Sequence, residues 1–168
     1  MTNLKSVAEF SNQDLDFWLK RIEALHPSEI EMGLNRITKV ADKLDLLSLN
    51  GKVILVGGTN GKGSCVAALE AMALSHNLSV ACYTSPHLLK FNERIRFNGL
   101  NVKDQALVIA VEKIEMARGD IALTFFEFTT LAALYLIKQS ACDLTVLEVG
   151  LGGRLDAVNI VEPDVSII

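Results

Sequence analysis

Apolar positions in the first fifty residues recur at helical spacing. Phe10, Leu15, Trp18, Leu19, Ile22 and Leu25 fall three and four residues apart, which lines one face of a helix with Ser11 or Asn12 as its cap. His26-Pro27 ends that pattern, because proline disfavours the helical region in the residue before it. A second amphipathic run carries Ile30, Leu34, Ile37, Val40, Ala41 and Leu44, and the turn dipeptide Asn50-Gly51 follows. The period then changes. Val53-Ile54-Leu55-Val56 is a short β-branched run that suits a buried parallel strand. It opens into a glycine-rich segment, residues 57–64, and an alanine-rich helical stretch, residues 65–75. Residues 79–83 read as a second strand, 84–99 as irregular, and 102–118 and 125–139 as helices. Leu144-Thr145-Val146-Leu147 is a further strand, and residues 165–168 begin another. This alternation predicts an α/β fold with a mostly parallel sheet and flanking helices. The apolar pattern is still running at Ser166-Ile167-Ile168, so a truncated domain is expected.

Composition narrows the classes. Half of the 168 residues are hydrophobic and 21% are charged, a globular balance that excludes disordered and low-complexity chains. The net charge is −4, with neither a basic excess nor a basic stripe, so no nucleic-acid partner is expected. Cys65, Cys82 and Cys142 are far apart and form no CxxC pair, which argues against disulfide frameworks and zinc ribbons. They read as small core residues in a reducing compartment. The opening MTNLKSVAEF has no apolar signal region, and the most apolar window, residues 125–137, is too short to span a bilayer. A cytoplasmic protein without a membrane partner is expected.

Three segments carry chemistry. Gly57-Gly58-Thr59-Asn60-Gly61-Lys62-Gly63-Ser64 lies between a strand and a helix. Its glycines let consecutive N–H groups form an anion nest, and the helix adds its positive end. Lys62 reaches the outer phosphates of a nucleotide from such a nest, and a hydroxyl there serves phosphate or Mg²⁺. The competing reading is a glycine-rich turn with a solvated lysine. The strict Walker order is broken because Gly63 stands between Lys62 and Ser64, which disfavours an ordinary GTPase or small-molecule kinase. The second segment, Thr84-Ser85-Pro86-His87 and then Phe91 to Arg96, sits at the carboxyl end of a strand, where open α/β sheets bind ligands. Ser85 offers an oxygen of the kind Mg²⁺ takes, although Ser-Pro is first a turn signal. His87 reads as a hydrogen-bonded loop residue, and Glu93, Arg94 and Arg96 equally as a solvated face. The third is Glu148 in LEVGLGGRLDA. A carboxylate closing an apolar strand needs a partner, and in nucleotide sites such an acid holds the magnesium; in isolation it is equally an acid capping a turn. Thr124 and Glu127 have capping-box spacing, which a structural role explains fully. His26 reads as a loop residue, and His76 as a partner of helix-terminal carbonyls.

VGGTNGKGS, YTSPHLLKFNERIR, TFFEFTTLAAL and LEVGLGGRLDAVNIV together closely resemble the folylpolyglutamate synthase/dihydrofolate synthase family, a branch of the Mur ligases, nearest to the bifunctional bacterial type. The resemblance runs from about His26 to the last residue, and Gly63 between lysine and hydroxyl marks the folate branch. It implies a P-loop NTPase-like Mur ligase ATPase domain over 1–168, in truncated form: a helical segment 1–50 and a phosphate-loop α/β part 51–168, without the C-terminal glutamate-ligase domain. It implies that Thr59, Asn60, Gly61, Lys62, Gly63 and Ser64 hold ATP, with Lys62 catalytic, and that Ser85 and Glu148 bind Mg²⁺. His26, Thr124, Phe125, Phe126, Glu127, Leu155, Asp156 and Ala157 match segments that contact the pterin substrate. Family members often carry Thr where this chain has Val158. The family's further Mg²⁺-binding histidine and carbamylated lysine have no counterpart in these residues.

The implied activity is ATP-dependent addition of L-glutamate to dihydropteroate, to a folate, or to both, through an acyl phosphate, with small-molecule substrates and no obligate protein partner. A chain of this length is expected to be inactive alone. Two alternatives remain: a non-catalytic truncated nucleotide-binding domain, and a cell-wall Mur ligase, whose usual loop lacks Gly63.

Overall fold

Local chemistry fixes where the elements begin and end. The computed structural model describes residues 13–25 and 33–168. Helix α1 (Leu15–Ala24) starts where the Asp14 side chain accepts the Phe17 N–H at 2.8 Å, so Asp14 is the cap in place of Ser11 or Asn12. It buries Leu15, Trp18 and Ile22, the face expected from the spacing, and α2 (Asn35–Lys43) buries Ile37, Val40 and Ala41. Ile30 and His26 lie outside the described residues.

The remaining elements are β1 (Lys52–Val56), α3 (Lys62–Ser75), β2 (Val80–Tyr83), β3 (Ile95–Phe97), β4 (Leu100–Asn101), α4 (Asp104–Arg118), α5 (Phe125–Ser140), β5 (Leu144–Glu148) and β6 (Val165–Ile167). Short 3₁₀ turns occupy Phe91–Arg94 and Ala157–Ile160. The strands form one mixed sheet in the order β4-β3-β2-β5-β1-β6. β2, β5, β1 and β6 run parallel, while β3 and β4 are antiparallel. The stretch expected to be irregular therefore contains a strand. Its Asn98-Gly99 dipeptide takes positive φ at both positions (51° and 79°), the conformation that joins β3 to β4 as a tight hairpin.

Helices cover both faces. Helix α3 packs its Val66 and Ala73 with Val56, Val80, Cys82 and Val146 on one side. Helix α5 lies on the other face with α1, α2 and α4 around it. Because α5 is enclosed on nearly all sides, Phe128, Leu131, Ala132, Ala133, Leu134 and Ile137 are all buried. Cys82 and Cys142 are buried and Cys65 is half-buried, all as free thiols. No helix of the described residues is long and apolar enough to cross a membrane.

Candidate functional site

The carboxyl ends of β1, β5 and β2 lie side by side, because β5 pairs with both of the others. Each runs into one of the three segments marked by the sequence. After β1 the chain turns through Gly58 and reaches Gly61, whose φ of 80° is a left-handed conformation that a side chain resists. The Cys65 N–H then bonds the Gly61 carbonyl at 2.9 Å and starts α3. The first-turn amides of Lys62, Gly63 and Ser64 are thus left as free donors at a positive helix end. Lys62 Nζ donates to the Gly58 carbonyl at 3.0 Å, folding its ammonium back over the loop.

Ser85 follows β2 and Glu148 ends β5, and the Ser85 N–H donates to Glu148 Oε2 at 3.0 Å. Glu148 is only 5% exposed and forms no ion pair among the described residues. A buried carboxylate without a cationic partner is costly unless a metal or ligand neutralises it. Among the described residues no group of three or more His, Cys, Asp or Glu converges as a metal cage. One acid, one hydroxyl and a neighbouring phosphate cradle suit a magnesium that keeps waters and takes phosphate oxygens.

A cavity of about 670 Å³ opens at this edge, within the usual range for a small-molecule site. Gly57, Gly58, Thr59 and Lys62 form one wall, Gly150 to Arg154 the second, and Ser166 to Ile168 the third. Asn60, Gly61, Gly63 and Ser64 stand at the turn into α3 and not on the wall; Ser85 and Glu148 lie beside it. Asp156 is buried and accepts the Leu151 N–H at 2.7 Å and the Val158 N–H at 3.1 Å, so it fixes the second wall. Burial pushes its carboxyl up from the ordinary value, while those backbone bonds and the Lys62 charge pull the other way. The sequence reading missed Asn159, which lines the cavity and donates to the Gly153 carbonyl at 2.9 Å. Its signal was its place three residues after Asp156 in Asp-Ala-Val-Asn.

The described residues among those matched to a pterin site lie around the start of α5. Phe126 stacks near Tyr83 with ring centroids 6.4 Å apart, and a Cβ built on Gly150 would stand 2.5 Å from its Cζ. Phe125 and Phe91 flank the buried Arg94 guanidinium at 5.8 and 5.3 Å, and Arg94 Nε donates to His87 Nδ1 at 2.9 Å. Leu155 is 42% exposed and Ala157 is buried. Glu127 is committed elsewhere: its Oε2 takes the Thr124 N–H at 2.8 Å and the Arg36 guanidinium at 2.7 Å. Its Oε1 is buried without a hydrogen-bond partner. Val158 is fully buried, so a hydroxyl at that position would enter the core.

Glu93, Arg94 and Arg96 are not a solvated face. Glu93 collects the N–H groups of Leu88 and Lys90 at 2.8 Å each and of Leu89 at 3.2 Å, which holds its carboxyl below the ordinary value. Arg94 is buried, and Arg96 pairs with the buried Glu70. Cys82 is no nucleophile, since burial and then the Glu70 charge push its thiol up to about 12. His76 bonds the Met72 carbonyl at 2.9 Å, as expected at a helix end.

No family model matches the chain. It is 46% identical over 151 residues to the dihydrofolate synthase/folylpolyglutamate synthase of Escherichia coli K12, covering 90% of this chain and 36% of that protein. The Haemophilus influenzae protein of the same name is 48% identical over 90% of this chain and 34% of its own length. Among solved structures, Escherichia coli FolC in complex with DHPP and ADP superimposes with a TM-score of 0.91 at 45% identity, covering 92% of this chain and 37% of that one. A Yersinia pestis bifunctional folylpolyglutamate synthase/dihydrofolate synthase complexed with AMPPNP and Mn gives 0.89 at 49% identity, with 92% and 38% covered. The chain spans little more than a third of the length of these relatives. Over the stretch it spans, the chain is strongly homologous to the bacterial dihydrofolate synthase/folylpolyglutamate synthases.

Proposed function

We propose that these residues form the nucleotide- and metal-holding part of an ATP-dependent ligase that joins L-glutamate to dihydropteroate, to a folate, or to both. The observation that carries this reading is the buried Glu148, joined to Ser85 at 3.0 Å beside a glycine-rich helix start. A γ-phosphoryl group passes to a substrate carboxylate oxygen and ADP leaves, giving an acyl phosphate. The glutamate amine then attacks the acyl carbon, loses its proton, and phosphate departs. Such transfers need positioning and charge neutralisation more than covalent help.

Each residue has a place in that scheme. The amides of residues 58–64 cradle the phosphates, and Lys62 swings from the Gly58 carbonyl to the outer one. Ser85 and Glu148 hold Mg²⁺, which when bound neutralises charge on the transferring phosphate. Asp156 keeps the glycine-rich second wall in register, and the Phe125–Phe126 end of α5 with Leu155 and Ala157 offers an apolar, aromatic seat for the pterin. Helices α1 and α2, packed against α4 and α5, act as a buttress for the phosphate-loop part, 51–168. The setting is cytoplasmic, where ATP and reduced folates are found.

MgATP at one hundred times its Kd stabilises a protein that binds it by about 2.7 kcal/mol, and the unfolding temperature rises with it. The protein gains that stabilisation and Lys62→Ala loses it, while Glu148→Gln shifts the magnesium requirement upward. An unchanged MgATP shift in Lys62→Ala, or near-normal ligase turnover when the same substitution is made in a full-length form, sinks the reading.

A further inference from the structure

An ion pair outside the proposed mechanism, between Arg96 and Glu70, holds an informative position. Arg96 lies on β3 directly across from Cys82 on β2. Its Nε and Nη2 both donate to Glu70 Oε2, at 3.0 and 2.9 Å. Its remaining nitrogen, Nη1, donates to Thr84 Oγ1 and to the Glu93 carbonyl, each at 3.3 Å. The other oxygen of Glu70 takes the Gly99 N–H at 3.2 Å, so both carboxylate oxygens are engaged. The Glu70 side chain is only 10% exposed and that of Arg96 20%.

The partners belong to different parts of the site. Glu70 stands eight residues, about two turns, after Lys62 on the helix that the phosphate loop opens. Thr84 immediately precedes Ser85, and its own N–H bonds the Arg94 carbonyl at 2.8 Å. Glu93 is the acid that gathers the amides of residues 88–90. One guanidinium therefore ties the phosphate-loop helix to the loop carrying the metal-side hydroxyl. A buried ion pair is weak support for stability, because desolvation offsets most of the attraction and apolar residues of similar volume often serve as well. A planar fork with fixed donor directions is instead suited to setting distances between elements.

Resting on the ligase reading above, we infer that Arg96 is a positioning residue: with Glu70 it sets the distance between the phosphate loop and Ser85, and so the affinity of the joint metal–nucleotide site. The residue touches neither ligand itself. Its effect appears in metal affinity and not in folding.

The test measures free Mn²⁺ by electron paramagnetic resonance while the protein is titrated in the presence of AMPPNP. Thermal unfolding of each variant is recorded alongside. Ser85→Ala serves as the direct metal-site control. Arg96→Lys keeps a cation beside Glu70 but loses the fork to Thr84 and Glu93. The double variant Glu70→Met/Arg96→Met replaces the pair with apolar side chains. Both are expected to weaken Mn²⁺ binding at least ten-fold while Tm stays within a few degrees of the parent. If the double variant does not fold, Arg96→Lys decides. Parental Mn²⁺ affinity in a folded Arg96→Lys protein overturns the inference while leaving the ligase reading standing, provided that Ser85→Ala weakens binding. An unmodified protein that takes up no Mn²⁺ with AMPPNP, or a Ser85→Ala protein that binds like it, overturns the ligase reading and this inference with it.

Discussion

Gly150→Ala puts one methyl group where the second wall of the cavity meets the aromatic end of α5. The backbone of Gly150 lies outside the left-handed region, so alanine adds no φ strain there. The whole cost comes from contact. A Cβ would stand 2.5 Å from Phe126 Cζ, 3.0 Å from its Cε2 and 3.1 Å from Ser85 Oγ. Carbon atoms rest about 3.5–4.0 Å apart, so the ring must shift by about 1 Å within a packed neighbourhood. Overpacking of that kind costs about 1–3 kcal/mol, and a domain of this size loses about 2–4 °C in Tm for each of them. Urea unfolding should show that loss in the parent background. Phe126→Leu removes the two ring atoms that collide, so in that background the cost of Gly150→Ala should fall by more than about 0.5 kcal/mol, the limit for uncoupled sites. An equal penalty in both backgrounds refutes the steric argument.

Other consequences are open to simple measurements. Thr124→Ala removes the hydroxyl that accepts the Glu127 N–H at 3.2 Å and should cost about 1–2 kcal/mol, while Thr124→Ser retains the bond and most of the stability in the same unfolding assay. Burial alone would raise the Glu115 carboxyl, but hydrogen bonds from Arg118 (2.6 Å) and Arg21 (3.0 Å), with their charges, hold it below the ordinary 4.5. Its folded value is depressed, so its stabilisation is present above pH 4.5 and is lost as pH falls through that lower value. Glu115→Gln should therefore unfold at lower temperature than the parent at pH 7, with the gap closing toward pH 3; a gap constant with pH contradicts the ion-pair account.

The strands and helices that sequence made legible were those whose burial is one-sided or complete. Val53 to Val56 and, Thr145 apart, Leu144 to Leu147 are apolar because both faces of their strands are covered, and Ile37, Val40 and Ala41 mark one covered face of a helix. The hairpin after β2 was missed because β3 has three residues and β4 two, too few to show a period. Its turn dipeptide, Asn98-Gly99, was the available signal. The glycine-rich loop, Ser85 and Glu148 were legible as candidates because each stands at a strand end, and the structure joins the last two by a direct hydrogen bond. Glu70 was not legible. In an alanine-rich helix it looks like a surface acid, and only the fold places Arg96, from a strand 26 residues later, against it. Glu127 shows the opposite case, since its capping-box spacing already stated the Thr124 contact that the structure contains.

The strand order has a kinetic corollary. β1 and β2 follow one another in the chain yet never pair, because β5 lies between them. A growing polypeptide that has emerged only as far as residue 140 therefore lacks the strand that joins those two, and has an unfilled slot at the centre of its sheet. Closing it requires partners some ninety residues apart, Val53 with Thr145, which makes strand insertion a slow, non-local step. The same insertion delivers Glu148 to Ser85. The acid of the candidate site thus arrives with the act that completes the sheet, so a nascent chain gains the contact between Glu148 and Ser85 and its central strand in a single event.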